Sequence, residues 1–158
     1  MHNTKIDISA ETRGKLTEIL NQRLADVSDL KSQAKQAHWN VKGMNFIALH
    51  ELFDQVATET DGYTDLIAER ITTLGGTALG TVRLAAERSS LAEYPHEITD
   101  GRDHVDALSN ALADFGRKVR ANIDDSEDLG DKDTADILTE ISRGIDKLLW
   151  FVEAHIQA

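Results

Sequence analysis

A single proline, Pro95, occurs in the 158 residues, so long stretches of the chain are free to form uninterrupted helices. Within these stretches apolar residues recur at three- and four-residue spacing, the period of a helix that buries one face. The first stretch follows Ser9, a suitable N-cap, and continues to Trp39. After a short break at residues 40–45, a second stretch runs until a glycine pair at residues 75–76. Two long helices are therefore predicted in the first part of the chain.

The second part of the chain has the same pattern. Asp100 is the expected N-cap of a third helix, and a fourth helix is expected over about residues 134–155. The acidic stretch at residues 124–133 is expected to form the loop between them. The connection at residues 77–99 is long enough to hold a short extra helix near residues 84–90.

Four long helices with one long connection predict an all-α fold, a four-helix bundle whose crossover joins the second helix to the third. The sequence contains no internal repeat and no linker-like segment. A chain of this length has room for one compact domain. Residues 1–158 are therefore expected to form a single domain, with a short N-terminal arm at residues 1–8.

The charge balance narrows the classes of partner. Lysine and arginine total 17 against 28 acidic residues, a formal net charge of −11, so a protein that coats nucleic acid through positive charge is disfavoured. The absence of cysteine excludes disulfides, thiolate nucleophiles and iron–sulfur clusters. The longest apolar stretch, residues 148–152, is far too short to cross a membrane, and residues 1–7 lack the basic region and apolar run expected of a signal peptide. We expect a soluble, cytoplasmic protein.

Four possible metal ligands share one stripe of the second predicted helix. At 100° per residue, His50, Asp54, Asp65 and Glu69 all fall within about 100° around the helix axis. However, the first and last of them are separated by about 28 Å along a straight helix, so one helix cannot bring all four to a single ion. A solvated polar face is the simpler interpretation of such a stripe.

The spacing of the stripe allows a second interpretation. His50 and Glu69, like Asp54 and Asp65, lie symmetrically about a point between residues 59 and 60. An antiparallel copy of the helix would therefore place the histidine end of one chain opposite the acidic end of the other, in the isologous contact typical of dimers. With His38 added from the first helix, each of two sites would hold two imidazoles and three carboxylates. Such a set suits iron or manganese, with zinc as a competitor.

The motifs around these residues resemble the Dps family, the DNA-binding proteins from starved cells. The resemblance spans nearly the whole chain. It rests on the segments Ala37-His38-Trp39-Asn40-Val41-Lys42-Gly43, His50-Glu51-Leu52-Phe53-Asp54, Asp65-Leu66-Ile67-Ala68-Glu69-Arg70 with Leu74-Gly75-Gly76, Thr134-Ala135-Asp136-Ile137-Leu138 and Asp146-Lys147-Leu148-Leu149-Trp150-Phe151.

The resemblance implies a ferritin-like subunit, a hollow dodecamer and a ferroxidase centre at each two-fold dimer interface. The implied catalytic and metal-binding residues are His38, His50 and Asp54 from one subunit with Asp65 and Glu69 from its mate. The family reaction is oxidation of Fe(II), with hydrogen peroxide preferred over dioxygen, followed by storage of ferric iron, which protects DNA and the cell from Fenton chemistry.

The resemblance also assigns residues beside the centre. Trp39 matches the family's tryptophan there and is expected to act as an electron donor, with packing at a helix end as the alternative role. Acidic residues line the family's three-fold iron pores, and Asp131 and Asp136 are the matching positions here. An acidic pore would concentrate Fe(II) at the entrance.

DNA binding is the point at which the sequence departs from the family pattern. The N-terminal arm offers only Lys5, and the C-terminal residues contain no lysine. We therefore expect no tight DNA binding, although an association with the nucleoid stays open. The alternative function is a non-enzymatic assembly protein that binds metal or DNA without redox turnover.

The remaining histidines and aromatic residues have no ligand pattern. His2, His96, His104 and His155 are expected at the surface or at helix caps, whereas Trp150 and Phe151 are expected in the core. The only Glu-x-x-His spacing, from Glu93 to His96, crosses Pro95. A ferritin centre within one chain is therefore not expected.

Overall fold

The computed structural model describes residues 1–157, and these residues contain five α-helices and no β-strand. The helices are α1 (Ala10–Asn40), α2 (Phe46–Thr73), α3 (Val82–Arg88), α4 (Gly101–Asp128) and α5 (Lys132–Glu153). The predicted caps are confirmed, because the side chains of Ser9 and Asp100 accept hydrogen bonds from the backbone of Thr12 and Arg102. The four-helix bundle and the short helix in its long connection are likewise confirmed.

The bundle is closed by apolar faces on all four long helices. α1 packs along α2 and α4 packs along α5, while α1 also contacts α4 and α2 contacts α5. Fully buried side chains from each helix meet at the centre, including Leu20, Phe53, Phe115 and Ile145. Burial of this continuous apolar core is the main stabilising contribution to such a fold. No helix of the described residues is long and apolar enough to cross a membrane.

The acidic stretch at residues 124–133 is mostly helical, so the prediction of a loop there was wrong. α4 continues to Asp128 because its inward face extends as far as Ser126, which is completely buried and donates a hydrogen bond to the carbonyl of Asn122. The chain then turns at Gly130, whose φ of 81° is a left-handed conformation that favours glycine. Asp131 then caps α5, which begins at Lys132, two residues before the predicted start.

The long connection between α2 and α4 is fastened to α1 by polar contacts. The carboxylate of Asp26, which is completely buried, accepts a hydrogen bond of 2.7 Å from the backbone N–H of Ser90. It also forms an ion pair of 3.0 Å with Arg23. The amide of Gln33 donates to the carbonyl of Ala92 at 3.0 Å. Further along, the backbone N–H of Lys42, in the turn between α1 and α2, donates to the carbonyl of Thr99.

The first residues lie against the bundle. The backbone N–H of His2 donates to the carbonyl of Gly75 at 2.6 Å, and the guanidinium of Arg13 donates to the carbonyls of His2 and Leu74. Ile8 packs against the core cluster. The segment at residues 1–8 is therefore held at the end of α2 by backbone hydrogen bonds.

Two predictions about burial were wrong. Trp150 was expected in the core, yet 61% of it is exposed, because Leu148 and Val152 occupy the inward face of α5. His104 was expected at the surface or at a helix cap, yet it is only 1% exposed, because the first turn of α4 lies beneath the end of the long connection. Phe151 is partly buried, and its neighbour Trp150 lies against its ring.

Candidate metal centre

Two histidines from different helices hold each other in place at one end of the bundle. His38 lies in the last turn of α1, and His50 lies near the start of α2. Nδ1 of His38 lies 2.7 Å from the carbonyl oxygen of His50, and Nδ1 of His50 lies 2.8 Å from the carbonyl oxygen of His38. The two rings are stacked with centroids 3.7 Å apart. The contact is therefore reciprocal.

This reciprocal contact fixes the tautomer of both rings. A carbonyl oxygen can only accept, so each Nδ1 must carry the hydrogen. Each Nε2 is then left with its lone pair, which is the form in which histidine binds a metal ion. Backbone contacts of this kind orient metal-binding histidines in many proteins.

A carboxylate on the next turn of α2 lies beside the histidines. Asp54 accepts a hydrogen bond of 2.6 Å from Nζ of Lys35, which comes from α1. That hydrogen bond lowers the pKa of Asp54 below its usual value, with smaller contributions from the charge of Lys35 and from His38 and His50. The same ammonium lies 5.7 Å from the centre of the Trp39 ring. The Lys35 ammonium group is therefore bound to a carboxylate that a metal ion would need as a ligand.

The other two predicted ligands lie elsewhere in the same chain. Asp65 and Glu69 are exposed on α2, more than two turns beyond Asp54. Neither carboxylate forms an ion pair or a side-chain hydrogen bond within residues 1–157. In that part of the chain, no group of three histidine or acidic side chains is placed to hold a metal ion. One chain therefore presents two separated partial ligand sets.

Exposed apolar side chains surround the histidine end. Trp39 is 67% exposed and Met44 is fully exposed, and Phe46 and Ile47 at the start of α2 are also exposed. The ring of Phe46 lies 5.1 Å from the ring of His50. Within residues 1–157, Trp39 is mostly open to solvent and is not part of the buried core. An exposed apolar patch of this kind is typical of a surface that contacts another protein.

The two predicted pore residues differ in their surroundings. Asp131 is 3% exposed, and both its carboxylate oxygens accept hydrogen bonds from Arg70, at 2.9 and 2.8 Å. Burial alone would raise its pKa, but the hydrogen bonds from Thr134 and Arg70 outweigh this and hold the pKa below its usual value. Asp136, in contrast, is exposed on the first turns of α5. Of the two predicted pore residues, Asp136 is the one whose carboxylate is open to solvent.

Three features of this region have no clear signal in the sequence. Lys35 reaches Asp54 across two helices, and Arg70 reaches Asp131 from 61 residues away. The hydroxyl of Tyr94 lies 2.7 Å from Nδ1 of the buried His104. Each of these contacts joins two segments that lie apart in the sequence, so each depends on tertiary packing.

Comparisons with known proteins agree with the fold and the motifs. Residues 17–158 match the model of the ferritin-like domain. The chain is 47% identical over 156 residues to a DNA protection during starvation protein of Agrobacterium fabrum, covering 99% of this chain and 96% of that protein. It is 32% identical to a protein of the same name from Mycolicibacterium smegmatis, covering 96% of this chain and 82% of that protein.

Solved structures give the same result. The tetragonal form of Mycobacterium smegmatis Dps superposes with a TM-score of 0.94 at 31% identity, covering 99% of this chain and 96% of that one. DpsA14 from Streptomyces coelicolor superposes with a TM-score of 0.93 at 32% identity, covering 98% of this chain and 92% of that one.

Proposed function

The chain belongs to the Dps family of ferritin-like proteins, and from this membership we propose that it oxidises Fe(II) at sites shared between two subunits and stores the ferric product inside a cage of identical chains. Each chain contributes one domain, residues 1–158, and the cage is a hollow dodecamer. The activity is that of a ferroxidase. Iron is its substrate, and zinc and manganese compete for the same ligands.

The observation that carries this proposal is the pair of partial ligand sets on one chain. His38, His50 and Asp54 form one set at the histidine end, and the fixed Nδ1 hydrogens leave both Nε2 atoms able to bind a metal ion. Asp65 and Glu69 form the other set, with no ion pair to neutralise them within residues 1–157. The two sets complement each other in ligand type and in charge.

A second copy of the chain supplies the missing half of each site. An antiparallel α2 from a two-fold related subunit would place its Asp65 and Glu69 opposite His50 and Asp54. The exposed apolar side chains around the histidine end, including Met44 and Ile47, would then be buried in the same interface. Two equivalent sites result from each dimer.

The chemistry follows from the ligands and the substrates. The carboxylates bind Fe(II) and stabilise the more highly charged Fe(III) product, while the imidazoles complete the coordination. Hydrogen peroxide accepts two electrons, so two Fe(II) ions and two protons convert one peroxide into two water molecules and two Fe(III) ions. Because the electrons are delivered in pairs, little hydroxyl radical is released. Trp39, beside His38, would supply an electron when only one Fe(II) is bound.

Entry of iron depends on exposed acidic groups. Asp136 is exposed near the start of α5 and is the carboxylate we propose for the pores. Asp131 was proposed with it from the sequence, but its carboxylate is occupied by Arg70 and Thr134 in the structure. In this proposal Asp131 fixes the start of α5 and thereby the position of Asp136.

Protection of DNA by this protein would be chemical. The net charge of −11 opposes contact with phosphate, and residues 1–8 are bound to the bundle through His2 and Arg13. We place the activity in the cytoplasm, where removal of Fe(II) and peroxide protects DNA without binding it. Retardation of DNA by micromolar protein at low salt would support nucleoid association instead.

The test is Fe(II) loading without oxygen, followed by stoichiometric peroxide, with ferric absorbance and the mass of the particle recorded together. Rapid oxidation of two Fe(II) per peroxide in a particle of about twelve chains is the expected result. The double variant Asp65→Asn with Glu69→Gln should lose the rapid phase, whereas Asp61→Asn, an exposed control one turn away on α2, should retain it. Oxidation no faster than in buffer would favour the non-enzymatic binding protein.

A further inference from the structure

A buried tyrosine and a buried histidine form a hydrogen-bonded pair that the proposed iron chemistry does not use. Tyr94 is 5% exposed and His104 is 1% exposed. The phenolic oxygen of Tyr94 lies 2.7 Å from Nδ1 of His104. Tyr94 belongs to the long connection, and His104 lies in the first turn of α4, so the pair joins two elements of the fold.

The surroundings of the ring favour one direction for this hydrogen bond. Nε2 of His104 is buried and has no hydrogen-bond partner in the described residues. Burial lowers the pKa of His104, while Asp103, Asp100 and the backbone groups of Asn40 and Ile98 act to raise it. The Tyr94 hydroxyl has no other hydrogen-bond partner in the described residues, so a donating Nδ1–H would leave the phenolic hydrogen buried without an acceptor. We therefore assign the hydrogen to Nε2, so that Nδ1 accepts the hydrogen bond from the Tyr94 hydroxyl.

A phenol that is hydrogen-bonded to an imidazole, as here, is the arrangement that makes a tyrosine redox-active. A phenol that loses an electron becomes a strong acid, so its oxidation is easy only where a base receives the proton at once. Nδ1 of His104 is that base. Burial raises the pKa of Tyr94, which disfavours a free phenolate and leaves transfer within the hydrogen bond as the available route.

We propose that Tyr94 and His104 form a redox pair that takes up one-electron oxidising equivalents produced beside the metal centre. The proposal rests on the ferroxidase function, since Fe(II) and peroxide are the source of those equivalents. Tyr94 and Trp39 line the same cavity, of about 810 Å³, between α1 and the long connection. On the other side of the pair, the ring of Phe53, which precedes Asp54, lies 6.4 Å from the ring of His104.

The proposed route through Trp39, Tyr94 and His104 conserves electrons and protons. One Fe(II) and one peroxide give Fe(III), hydroxide and a hydroxyl radical, and that radical takes an electron from Trp39 to become a second hydroxide. The oxidised indole takes an electron from Tyr94 while the phenolic proton moves to Nδ1 of His104, which leaves a neutral tyrosyl radical and an imidazolium. A further Fe(II) then returns the electron, and the proton moves back to Tyr94. The oxidising equivalent has been converted into a second Fe(III) without loss of a side chain.

The chain contains a matched control in its only other tyrosine. Tyr63 is partly buried on α2, and a side chain at Gly144 would collide with its phenol. Burial raises its pKa, and the charges of Glu59 and Glu140 add to that rise. Its hydroxyl has no histidine partner among residues 1–157. A purely structural role for Tyr94 would give these two phenols the same redox behaviour.

The test generates the oxidising equivalent by light, without iron. Photo-oxidation by ruthenium tris-bipyridine with an electron acceptor is followed by electron paramagnetic resonance of protein with ring-deuterated tyrosine. Tyr63→Phe leaves Tyr94 as the sole tyrosine, so this variant tests the pair even if Tyr94→Phe fails to fold. We expect a tyrosyl radical in Tyr63→Phe at a yield at least about ten times that in Tyr94→Phe. Adding His104→Gln to Tyr63→Phe should lower the yield by a similar factor.

Equal radical yields in the two tyrosine variants, or an undiminished yield after His104→Gln, would overturn the proposal. The same variants are then treated with Fe(II) and peroxide, and oxidation of Trp39 is measured by mass spectrometry. We expect several-fold more oxidised Trp39 in Tyr94→Phe than in Tyr63→Phe, and equal amounts would overturn the proposed route. The two proposals can fail separately. If light produces the Tyr94 radical but the protein does not accelerate Fe(II) oxidation, the ferroxidase function is overturned and the redox pair remains supported.

Discussion

The carboxylate of Asp54 lies 2.6 Å from the ammonium group of Lys35, so the chain neutralises a proposed iron ligand with its own cation. The side chain of Asp54 is half exposed and that of Lys35 is about one-third exposed, so the pair is open to exchange with ions from solution. A metal ion that binds Asp54 must displace the ammonium. If Asp54 is a metal ligand, Lys35 therefore competes with the metal ion for its carboxylate.

Replacing Lys35 with glutamine should tighten metal binding. The metal ion then no longer competes with an ammonium group, and we expect affinity for Zn(II) or Fe(II) to rise by up to about five-fold, the range set by exposed ion pairs. Calorimetric titration of Zn(II) under anaerobic conditions measures this directly. Because an exposed pair is screened by salt, the difference from wild type should shrink at high ionic strength.

Lys31 provides the control for this experiment. It lies one turn earlier on α1 and forms an ion pair of 2.5 Å with Asp61, which is not a proposed ligand. Lys31→Gln removes the same charge at nearly the same distance from the bundle end. Equal gains in affinity for Lys31→Gln and Lys35→Gln would show that only net charge matters, and the displacement argument would fail.

A mixed assembly tests whether each site is shared. His50→Asn keeps a donor at the Nδ1 position for the carbonyl of His38 but removes Nε2, and Glu69→Gln removes a ligand from the other partial set. Each variant alone should lose rapid oxidation. In a dimer of one chain of each kind, one site carries both changes and the other carries neither. Random mixing of the two chains should therefore restore about a quarter of the wild-type rate.

Activity in the mixture that equals the average of the two inactive variants would contradict a shared site. His96→Asn is the control for loss of an imidazole, because His96 is exposed and its only hydrogen bond in the described structure is with Glu93. It should retain the wild-type rate. Size-exclusion chromatography of every sample confirms that the subunits assemble.

Local sequence patterns were sufficient to predict the long helices and the stripe of possible metal ligands on α2. Capping residues such as Ser9 and Asp100 and the spacing of apolar side chains act over a few residues, and the structure confirms them. The separation of His50 from Glu69 also follows from helix geometry alone, so the need for a second chain could be inferred before the fold was known.

Contacts between distant segments could not be predicted. The acidic stretch at residues 124–133 has the composition of a loop, but the burial of Ser126 and the reach of Arg70 to Asp131 hold most of it in helices. His104 is inside because the end of the long connection covers it, which depends on the fold of residues 77–99. Trp150 is outside because other residues of α5 occupy the inward face. Tertiary packing overrides composition at each of these places.

Asp131 and Asp136 should respond differently to removal of their charge. Asp131→Asn leaves the largely buried guanidinium of Arg70 without its charged partner, and we expect the free energy of unfolding to fall by up to about 3 kcal/mol. Asp136→Asn changes an exposed side chain and should leave stability within about 0.5 kcal/mol of wild type. Thermal and denaturant unfolding of both variants measures this difference.

The kinetics of iron entry separate the two residues further. Asp136→Asn should slow Fe(II) oxidation at low salt, with little effect at high salt, because it removes charge that attracts the ion. Stopped-flow absorbance at two ionic strengths tests this expectation. A stable Asp131→Asn protein with the same salt-dependent defect would instead place Asp131 in the pore.

The burial of His104 should make stability depend on pH in a definite window. Burial lowers its pKa in the folded state below the value of about 6.5 expected for the unfolded chain. Between these two pKa values the unfolded chain binds more protons, so stability is complete above about pH 6.5 and falls as the pH decreases, until the folded-state pKa is passed. Asp100 and Asp103 moderate the fall because their charges favour the imidazolium.

His104→Gln removes the titrating group from this pocket. The variant should be less stable than wild type at pH 7.5, since it loses the contact with Tyr94, and the difference in Tm should narrow at pH 5.5 because only wild type loses stability by protonation of His104. His155→Gln, an exposed substitution at the end of α5, should follow the wild-type curve. The ordinary carboxyl groups titrate at lower pH and affect wild type and variant alike. Parallel Tm curves for wild type and His104→Gln from pH 7.5 to 5.5 would show that folding does not lower the pKa of His104, because stability depends on pH only where the folded and unfolded states bind different numbers of protons.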